Sequence, residues 1–160
     1  MNNEEILTLA EQIVKSWDWK TEVSRSQPNQ LDVNILNLEQ FVPIVVGLRV
    51  KRLGYLSAIV GLDLGREANQ LEVLYYFCEQ SSMIVLHLRI PRQNARVPSL
   101  CEVIPSAEVF ERELREMFGI EITGLKTIEY LYLPEDWPDG VFPMRKDTDL
   151  TMVTAQTGKV

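Results

Sequence analysis

The sequence is poor in the residues that build metal and redox sites. Its 160 residues include two cysteines and one histidine. Cys78 and Cys101 lie far apart and do not form the C-x2-C pairs that are typical of zinc and iron–sulfur sites. We therefore interpret both as reduced thiols. A Gly-rich nucleotide loop and a nucleophile–base pair are also missing from the sequence, so we expect this chain to bind no cofactor and no metal of its own.

The sequence also has no long apolar run and no excess of positive charge. Its longest apolar window, Tyr55 to Leu64, is about half the ~20 residues that a membrane-spanning helix requires. The net charge of −7 and the absence of a basic stripe argue against a nucleic-acid partner. The acidic N-terminus has no signal-peptide pattern. We expect a cytoplasmic protein that meets a membrane only through partners.

The single histidine lies in an alternating stretch that predicts a strand. Ile84, Leu86 and Leu88 fall on one face of this strand, and His87 falls on the other. We interpret His87 as a surface or edge residue rather than a metal ligand.

The densest charged run, Glu111 to Glu116, lies within a pattern that predicts a helix from about Ser106 to Phe118. Ser106 is a suitable N-cap, and Gly119 can adopt the left-handed conformation that ends a helix. Apolar residues at spacings of three and four form one stripe that faces a core: Ala107, Phe110, Leu114, Met117 and Phe118.

The charges on this helix allow two interpretations. Glu108 with Arg112, and Glu111 with Arg115, are spaced to form ion pairs across one helical turn, which would make the charged face an ordinary solvated surface. Alternatively, charges fixed on a rigid helix can make directed pairs with a partner subunit. The spacing alone does not decide between them.

The remaining patterns predict an α+β fold. Helices are expected over residues 3–16, with Trp17 on the apolar stripe, and from about Asn37 to Arg52, where Pro43 favours a later start or a bend. Strands are expected over residues 31–36, 55–63 (buried), 71–79 and 83–91, the last two as a hairpin, and a further strand is considered over 127–133. Residues 18–29 and 91–98 are expected to be loops. The prediction is a mainly antiparallel sheet of about four strands, with two helices and a third (106–118) packed on it.

The C-terminal part is expected to be irregular. From Pro134 onward, prolines and turn residues disfavour helix and sheet, yet Trp137 and Phe142 are too apolar to be freely solvated. We expect a single domain over residues 1–133 and an extended partner-docking tail over 134–160, whose last residues from Thr148 are disordered when alone.

Four motifs together resemble one protein family. They are Glu-Arg-Glu at 111–113, Glu-Met-Phe-Gly at 116–119, Leu-Pro-Glu-Asp-Trp at 133–137 and Pro-Met-Arg-Lys-Asp at 143–147. The combination resembles the 30-kilodalton subunit of respiratory complex I, a family that includes the C subunit of NADH–quinone oxidoreductase and relatives in energy-converting hydrogenases and formate hydrogenlyase. The last two motifs are closer to the hydrogenase branch. After Gly124 the family typically has His-Pro-Asp-Leu-Arg-Arg, where this chain has Leu-Lys-Thr-Ile-Glu-Tyr.

The resemblance implies a non-catalytic subunit of the peripheral arm of a membrane-bound oxidoreductase, held on the inner face of the cell membrane. It implies docking on the large catalytic subunit, beside a small iron–sulfur subunit, in support of electron transfer coupled to ion translocation. Iron–sulfur clusters are then expected in the partner subunits. The expected docking residues are Glu111, Arg112, Glu113, Glu116, Phe118, Gly119, Trp137, Phe142, Pro143, Arg145, Lys146 and Asp147.

Two other hypotheses stay open. The chain could be an enzyme in which Glu111, Glu113 and Glu116 act as acid and base, because Glu113 and Glu116 share a helix face. The altered run after Gly124 also allows a stand-alone binding module descended from the complex I subunit.

Overall fold

A five-stranded sheet covered on one face by helices forms the body of the protein. The computed structural model describes residues 1–16 and 18–151, so the predictions for Trp17 and for residues 152–160 lie outside the described residues. The elements, in chain order, are α1 (Asn3–Val14), β1 (Thr21–Ser24), β2 (Gln30–Ile35), a 3-10 turn (Leu38–Gln40), α2 (Phe41–Val50), β3 (Tyr55–Asp63), β4 (Gln70–Glu79), β5 (Ser82–Pro91), β6 (Arg96–Pro98), α3 (Ala107–Phe118) and β7 (Glu121–Thr123). None of the described helices is long and apolar enough to span a bilayer.

The sheet is mostly antiparallel, as expected. Its strand order is β1-β2-β5-β4-β3, and only β2 and β5 run parallel to each other among these neighbours. The predicted hairpin is confirmed as β4 and β5. The sheet has five strands rather than about four because residues 21–24, expected in a loop, form β1. That strand alternates between half-buried and exposed positions and contains one apolar residue, Val23, so its pattern is weak.

The core lies between the helices and one face of the sheet. Alternate residues of β2, β4 and β5 point into it, and Leu31, Val33, Val73, Tyr75 and Leu86 are fully buried there. Helix α1 contributes its apolar stripe, including Ile6 and Ala10. Three helices on one sheet face and an alternating sheet pattern give the predicted α+β class.

The start of α2 follows from the position of Pro43. Asn37 caps the 3-10 turn by accepting a hydrogen bond from the backbone of Glu39, and α2 begins at Phe41. Pro43 therefore falls in the first turn of the helix, where a proline costs no backbone hydrogen bond. The expectation of a later start is confirmed.

Helix α3 packs on β3, which is an edge strand and is less buried than expected. Gly61 of β3 makes this contact possible, because a side chain there would collide with Phe118 and Leu114. The helix spans Ala107–Phe118 and ends at Gly119 with a φ of 65°, as predicted. Ser106 precedes the helix but makes no capping hydrogen bond with its side chain, so that part of the prediction is wrong.

Two predictions about the second half of the chain are wrong. Residues 127–133 form no strand, and residues 91–98, expected in a loop, contain β6, which pairs with β7 in a small parallel sheet. The chain from Gly124 to Leu150 consists of turns and irregular segments. It does not leave the domain at residue 133, because the backbone nitrogen of Met144 donates to the carbonyl oxygen of Met117 at 3.0 Å. This irregular segment, residues 124–150, is called the C-terminal segment below.

Candidate functional site

Three charged side chains of α3 bind the chain's own C-terminal segment: Arg112, Arg115 and Glu116. The carboxylate of Glu116 is buried and accepts hydrogen bonds from the backbone nitrogens of Leu131, Tyr132 (2.9 Å) and Leu133 (3.2 Å). Three consecutive N–H groups that lack a strand partner are thus satisfied by one charged acceptor. Glu116 therefore supplies the hydrogen-bond acceptors that a neighbouring strand would otherwise supply.

Two arginines of α3 hold the preceding residues through carbonyl groups. Arg112 donates to the carbonyl oxygens of Glu129 (3.1 Å) and Tyr130 (3.0 Å), and Arg115 donates to that of Ile128. These residues lie in the run after Gly124 that differs from the pattern of the family that the sequence resembles. Because the contacts are made to backbone atoms, they do not depend on the side chains at positions 128–130.

Glu111 is the most deeply buried acid of α3. It has no exposed surface and accepts hydrogen bonds from the hydroxyl of Ser99 and the backbone nitrogen of Leu100, both at 2.6 Å, and from the Cys101 thiol at 3.1 Å. Burial raises the pKa of Cys101, and the nearby Glu111 carboxylate also raises it. Glu111 therefore fixes the chain that leads into α3.

The two ion pairs expected along α3 do not form among the described residues. Glu111 faces Ser99, Leu100 and Cys101 instead of Arg115, and Arg112 faces backbone carbonyls instead of Glu108. The interpretation of a solvated face tied by ion pairs is therefore wrong. Glu111 and Glu116 are also not available for direct contact with a partner, because their carboxylates are buried and already hydrogen-bonded.

An ion triad of buried Asp63, buried Arg92 and exposed Asp147 fixes the end of the C-terminal segment to the sheet. Arg92, at the end of β5, donates to both carboxylate oxygens of Asp63 at 3.2 and 2.8 Å, and it also donates to both oxygens of Asp147. Asp63 additionally accepts from the backbone nitrogens of Lys146 (2.9 Å) and Gly65 (2.8 Å). The segment is thus tied to the ends of two strands.

The electrostatics of the triad favour its charged state. Burial opposes ionisation of Asp63, but hydrogen bonds from Arg92, Lys146 and Gly65 outweigh it and lower the pKa of that carboxyl group. Hydrogen bonds with Arg92 and then Arg66 hold the pKa of Asp147 well below its usual range. The two carboxylates in turn raise the pKa of Arg92. All three groups are ionised at neutral pH.

An aromatic contact closes the C-terminal end of α3. The ring of Phe142 packs on Gly119, and the guanidinium of Arg145 lies over the same ring, with its Cζ atom 4.9 Å from the ring centre. Arg145 also donates from Nε to the carbonyl oxygen of Phe118 at 2.7 Å. Trp137 is half-buried and donates to the carbonyl oxygen of Val141 at 2.8 Å. Beside these residues lies a groove of about 370 Å³, lined by Arg115, Tyr130, Trp137 and Phe142 among others.

The structure therefore brings most of the expected docking residues together, in different roles. Phe118 belongs to the core, and the Asp147 carboxylate belongs to the triad. Pro143 is half-buried and Lys146 is exposed. Glu113 is half-buried and forms no hydrogen bond or ion pair with any described residue.

Sequence reasoning missed the apolar surface that this arrangement displays. Ile128, Tyr132 and Met144 are 70%, 62% and 58% exposed, although their backbones are attached directly or through neighbours to α3. The sequence did show apolar residues in an irregular stretch. It did not show whether their side chains are buried or exposed.

A second polar cluster lies on the sheet face opposite the helices. His87 is on the central strand β5, where its two ring nitrogens lie 3.1 Å from a carboxylate oxygen of Asp32 and 3.2 Å from one of Glu72. Its side chain is 20% exposed, so it is neither an edge nor a freely exposed residue. Hydrogen bonds from Ser26, Gln30 and His87 lower the pKa of Asp32 although burial opposes this.

The fold defines a two-layer α+β domain whose sequence motifs are concentrated on α3 and the C-terminal segment. A family model described as the 30 Kd subunit of respiratory-chain NADH dehydrogenase matches residues 35–153. The chain belongs to this family, and the resemblance inferred from the motifs is confirmed.

Relatives in the family come from several membrane complexes. Formate hydrogenlyase subunit 5 of Escherichia coli is 30% identical over 85% of this chain and 23% of its own length. The C subunit of NADH-quinone oxidoreductase from a Roseiflexus species is 39% identical over 62% of this chain and 57% of its own length. Membrane-bound hydrogenase subunit beta of Pyrococcus furiosus is 27% identical over 86% of this chain and 77% of its own length. The chain spans less than two thirds of the length of the first two relatives.

Two solved structures share the fold. A chain of the archaeal membrane-bound sulfane sulfur reductase superposes with a TM-score of 0.77 and 22% identity, covering 98% of this chain and 91% of that one. A trypsin-resistant fragment of Nqo5 superposes with a TM-score of 0.59 and 23% identity, covering 79% of this chain and 99% of the fragment.

Proposed function

We propose that this chain is a non-catalytic subunit of the peripheral arm of a complex I-like or hydrogenase-type membrane oxidoreductase. It docks on the large catalytic subunit, beside a small iron–sulfur subunit that carries the clusters, on the cytoplasmic face of the membrane. Its contribution to electron transfer and ion translocation is to support the assembly of the redox subunits. Family membership supports this proposal, and so do the names of the relatives.

The observation that carries the proposal is an exposed apolar surface on a segment that is firmly held. Ile128, Tyr132 and Met144 point outward from backbone that α3 fixes through Glu116, Arg115 and Met117. An apolar side chain exposed on a pre-organised backbone loses little conformational entropy when a partner covers it. Exposed apolar side chains on a fixed backbone are therefore candidate anchors of a protein interface.

The alternative of a carboxylate enzyme has weaker support. Glu111 and Glu116 are committed to hydrogen bonds with Ser99, Leu100 and the backbone of residues 131–133. A general acid or base must reach the atom from which it takes, or to which it gives, a proton. Of the three glutamates proposed for this role, only Glu113 keeps an unengaged carboxylate among the described residues.

The proposal is tested by replacing the exposed apolar side chains. A tagged chain carrying Ile128→Ser, Tyr132→Ser and Met144→Ser is expressed in the native host, and the membrane fraction is solubilised in mild detergent and affinity-purified. The wild-type chain is expected to copurify with a large and a small subunit, and the variant is expected to lose them.

A matched control separates docking from general surface hydrophobicity. Leu36, Val46 and Val50 are 60%, 39% and 72% exposed, and they lie at the end of β2 and on α2, away from the C-terminal segment. Their triple serine variant is expected to copurify like the wild type. If the wild-type chain brings down no large subunit, or if the two triple variants behave alike, the proposed docking surface is wrong.

A further inference from the structure

The guanidinium group of Arg145 is held in one orientation but has no anionic partner. Its Nε atom donates to the carbonyl oxygen of Phe118 at 2.7 Å, and its Cζ atom lies over the Phe142 ring. Its two terminal nitrogens make no hydrogen bond with any residue in the described part of the chain. The free edge of the guanidinium is therefore the edge that can bind a carboxylate through two parallel hydrogen bonds.

The surroundings make this unpaired state unusual. Burial lowers the pKa of Arg145, and the positive charge of Arg92 lowers it further. A partly desolvated cation normally has a carboxylate in contact, because removing its hydration is otherwise uncompensated. The two nearby candidates, Asp63 and Asp147, are both bound by Arg92 instead.

Among the described residues, the acids that line the groove at Arg145 are Asp147 and Asp149. Asp149 lines the same groove, but it is exposed and its carboxylate accepts two hydrogen bonds from Thr151. The groove has a volume of about 350 Å³ and is lined by Phe142, Arg145 and Thr148, with Gly140 and Val141 at one side. It is large enough for one acidic side chain of another protein.

Charge complementarity favours the same occupant. The chain as a whole carries a net charge of −7, yet Arg66, Arg92, Arg145 and Lys146 meet at this end of the molecule. Asp63, Asp147 and Asp149 bring three negative charges to the same end, fewer than the four positive charges. An acidic group is therefore attracted here, whereas most of the surface repels it.

We propose that Arg145 is the receptor for a partner carboxylate, an aspartate or glutamate side chain that the terminal guanidinium nitrogens bind in a two-point contact. The inference rests on the proposed function, because the docked subunit supplies the acidic residue. It adds the chemical nature of the contact, which the family relationship does not specify.

Copurification from the native host tests the contact with three variants. Arg145→Lys retains the charge but cannot form the two-point contact, Arg145→Gln removes both, and Arg49→Gln removes an exposed arginine on α2 as the control. Both Arg145 variants are expected to retain roughly tenfold less large subunit than the wild type, since losing one partner of a desolvated charge pair weakens binding at least that much. Arg49→Gln is expected to match the wild type.

The outcomes distinguish this inference from the proposed function. If the wild type copurifies with the large subunit and both Arg145 variants do so equally well, the carboxylate contact is wrong and the proposed function stands. If only Arg145→Gln is impaired, charge alone matters and the two-point contact is wrong. If the wild type captures no large subunit, the proposed function fails.

A measurement on the isolated full chain tests the receptor without any partner. The side-chain NMR signals of Arg145 are followed during titration with sodium acetate, and again with sodium chloride at equal ionic strength. The terminal nitrogen signals are expected to shift in a saturable way with acetate only, while the Nε signal, bonded to Phe118, changes little. Equal shifts with chloride would overturn the inference. So would a shift caused by Asp149→Asn before any acetate is added, because the chain's own Asp149 would then be the occupant.

Discussion

The ring of Phe142 packs directly on Gly119, the residue at which α3 ends. Any Cβ atom at Gly119 would overlap the ring, and the backbone there has a φ of 65°, which residues with side chains adopt only at a cost. One glycine thus serves two purposes. It ends the helix, and it lets the C-terminal segment approach the helix end closely.

Gly119→Ala is therefore expected to destabilise the protein more than a positive φ alone explains. The backbone conformation should cost about 1–2 kcal/mol, and the overlap with Phe142 should add about 1 kcal/mol or more. The free energy of unfolding in urea measures the sum. Gly140→Ala is the matched control, because Gly140 has a φ of 75° and open space where a Cβ would lie. Equal losses for the two variants would show that the Phe142 contact carries no energy.

The secondary structure of the body could be predicted because its signals are local. Alternation in β4 and β5, and the spacing of Ala107, Leu114 and Phe118 in α3, reflect a buried face that recurs with the period of the element. β1 was missed because it is a short strand with a single apolar residue, Val23, so its alternation gives only a weak signal.

The roles of the charges on α3 could not be predicted because their partners are distant in the sequence. Spacing reports which side chains are neighbours on one helix, and it suggested Glu111 with Arg115. Most of the actual partners are distant backbone groups, such as the nitrogen of Leu100 and the carbonyl of Tyr130. These backbone groups need a partner because the residues that carry them are not paired in a strand. The sequence pattern within α3 contains no information about that.

Glu116→Gln is expected to loosen the C-terminal segment while leaving the body folded. The amide keeps the size of the side chain but loses the charge that strengthens three hydrogen bonds, each of which is worth about 1.5–3 kcal/mol when the acceptor is charged. Hydrogen exchange should therefore accelerate at Leu131, Tyr132 and Leu133 and stay unchanged in β4 and β5. Glu113→Gln, on the same helix but without a hydrogen-bond partner among the described residues, is the control. Unchanged protection at Leu131–Leu133 would contradict the anchoring role.

Acid is expected to weaken the triad of Asp63, Arg92 and Asp147. The pKa of Asp63 is lower in the folded protein than in the unfolded chain, where a value of about 3.9 is usual. Its ionisation therefore adds stability that is fully present above that unfolded value and is lost as the pH falls through the folded value. The urea unfolding free energy of the wild type should accordingly decrease below about pH 4.

The variant Asp63→Asn identifies the source of this pH dependence. It should be less stable than the wild type at pH 7 by about 3 kcal/mol, because a buried arginine loses one of its two carboxylates. The difference should shrink as the pH falls through the lowered pKa of Asp63 in the folded wild type, because its carboxyl group then becomes protonated. The exposed Asp139→Asn serves as the control. A constant difference between Asp63→Asn and the wild type from pH 7 to pH 2 would show that Asp63 is not responsible.

His87 is expected to stabilise the open face of the sheet as a bridge between two acids. Asp32 and Glu72 are only 8% and 7% exposed, and each lies within hydrogen-bond distance of a different ring nitrogen of His87. Without the ring, each of the two carboxylates would lose one hydrogen-bonding contact.

His87→Ala should therefore lower the free energy of unfolding at pH 7 by about 1–2 kcal/mol. The loss stays near the low end because Asp32 retains Gln30 as a donor at 2.8 Å and Glu72 retains Arg89 at 3.1 Å. Adding Asp32→Asn and Glu72→Gln to His87→Ala should recover part of the loss, since the two buried carboxylates that each lost a contact are then replaced by neutral amides. If the triple variant is no more stable than His87→Ala, the cost comes from lost packing on β5, and the bridge itself contributes nothing.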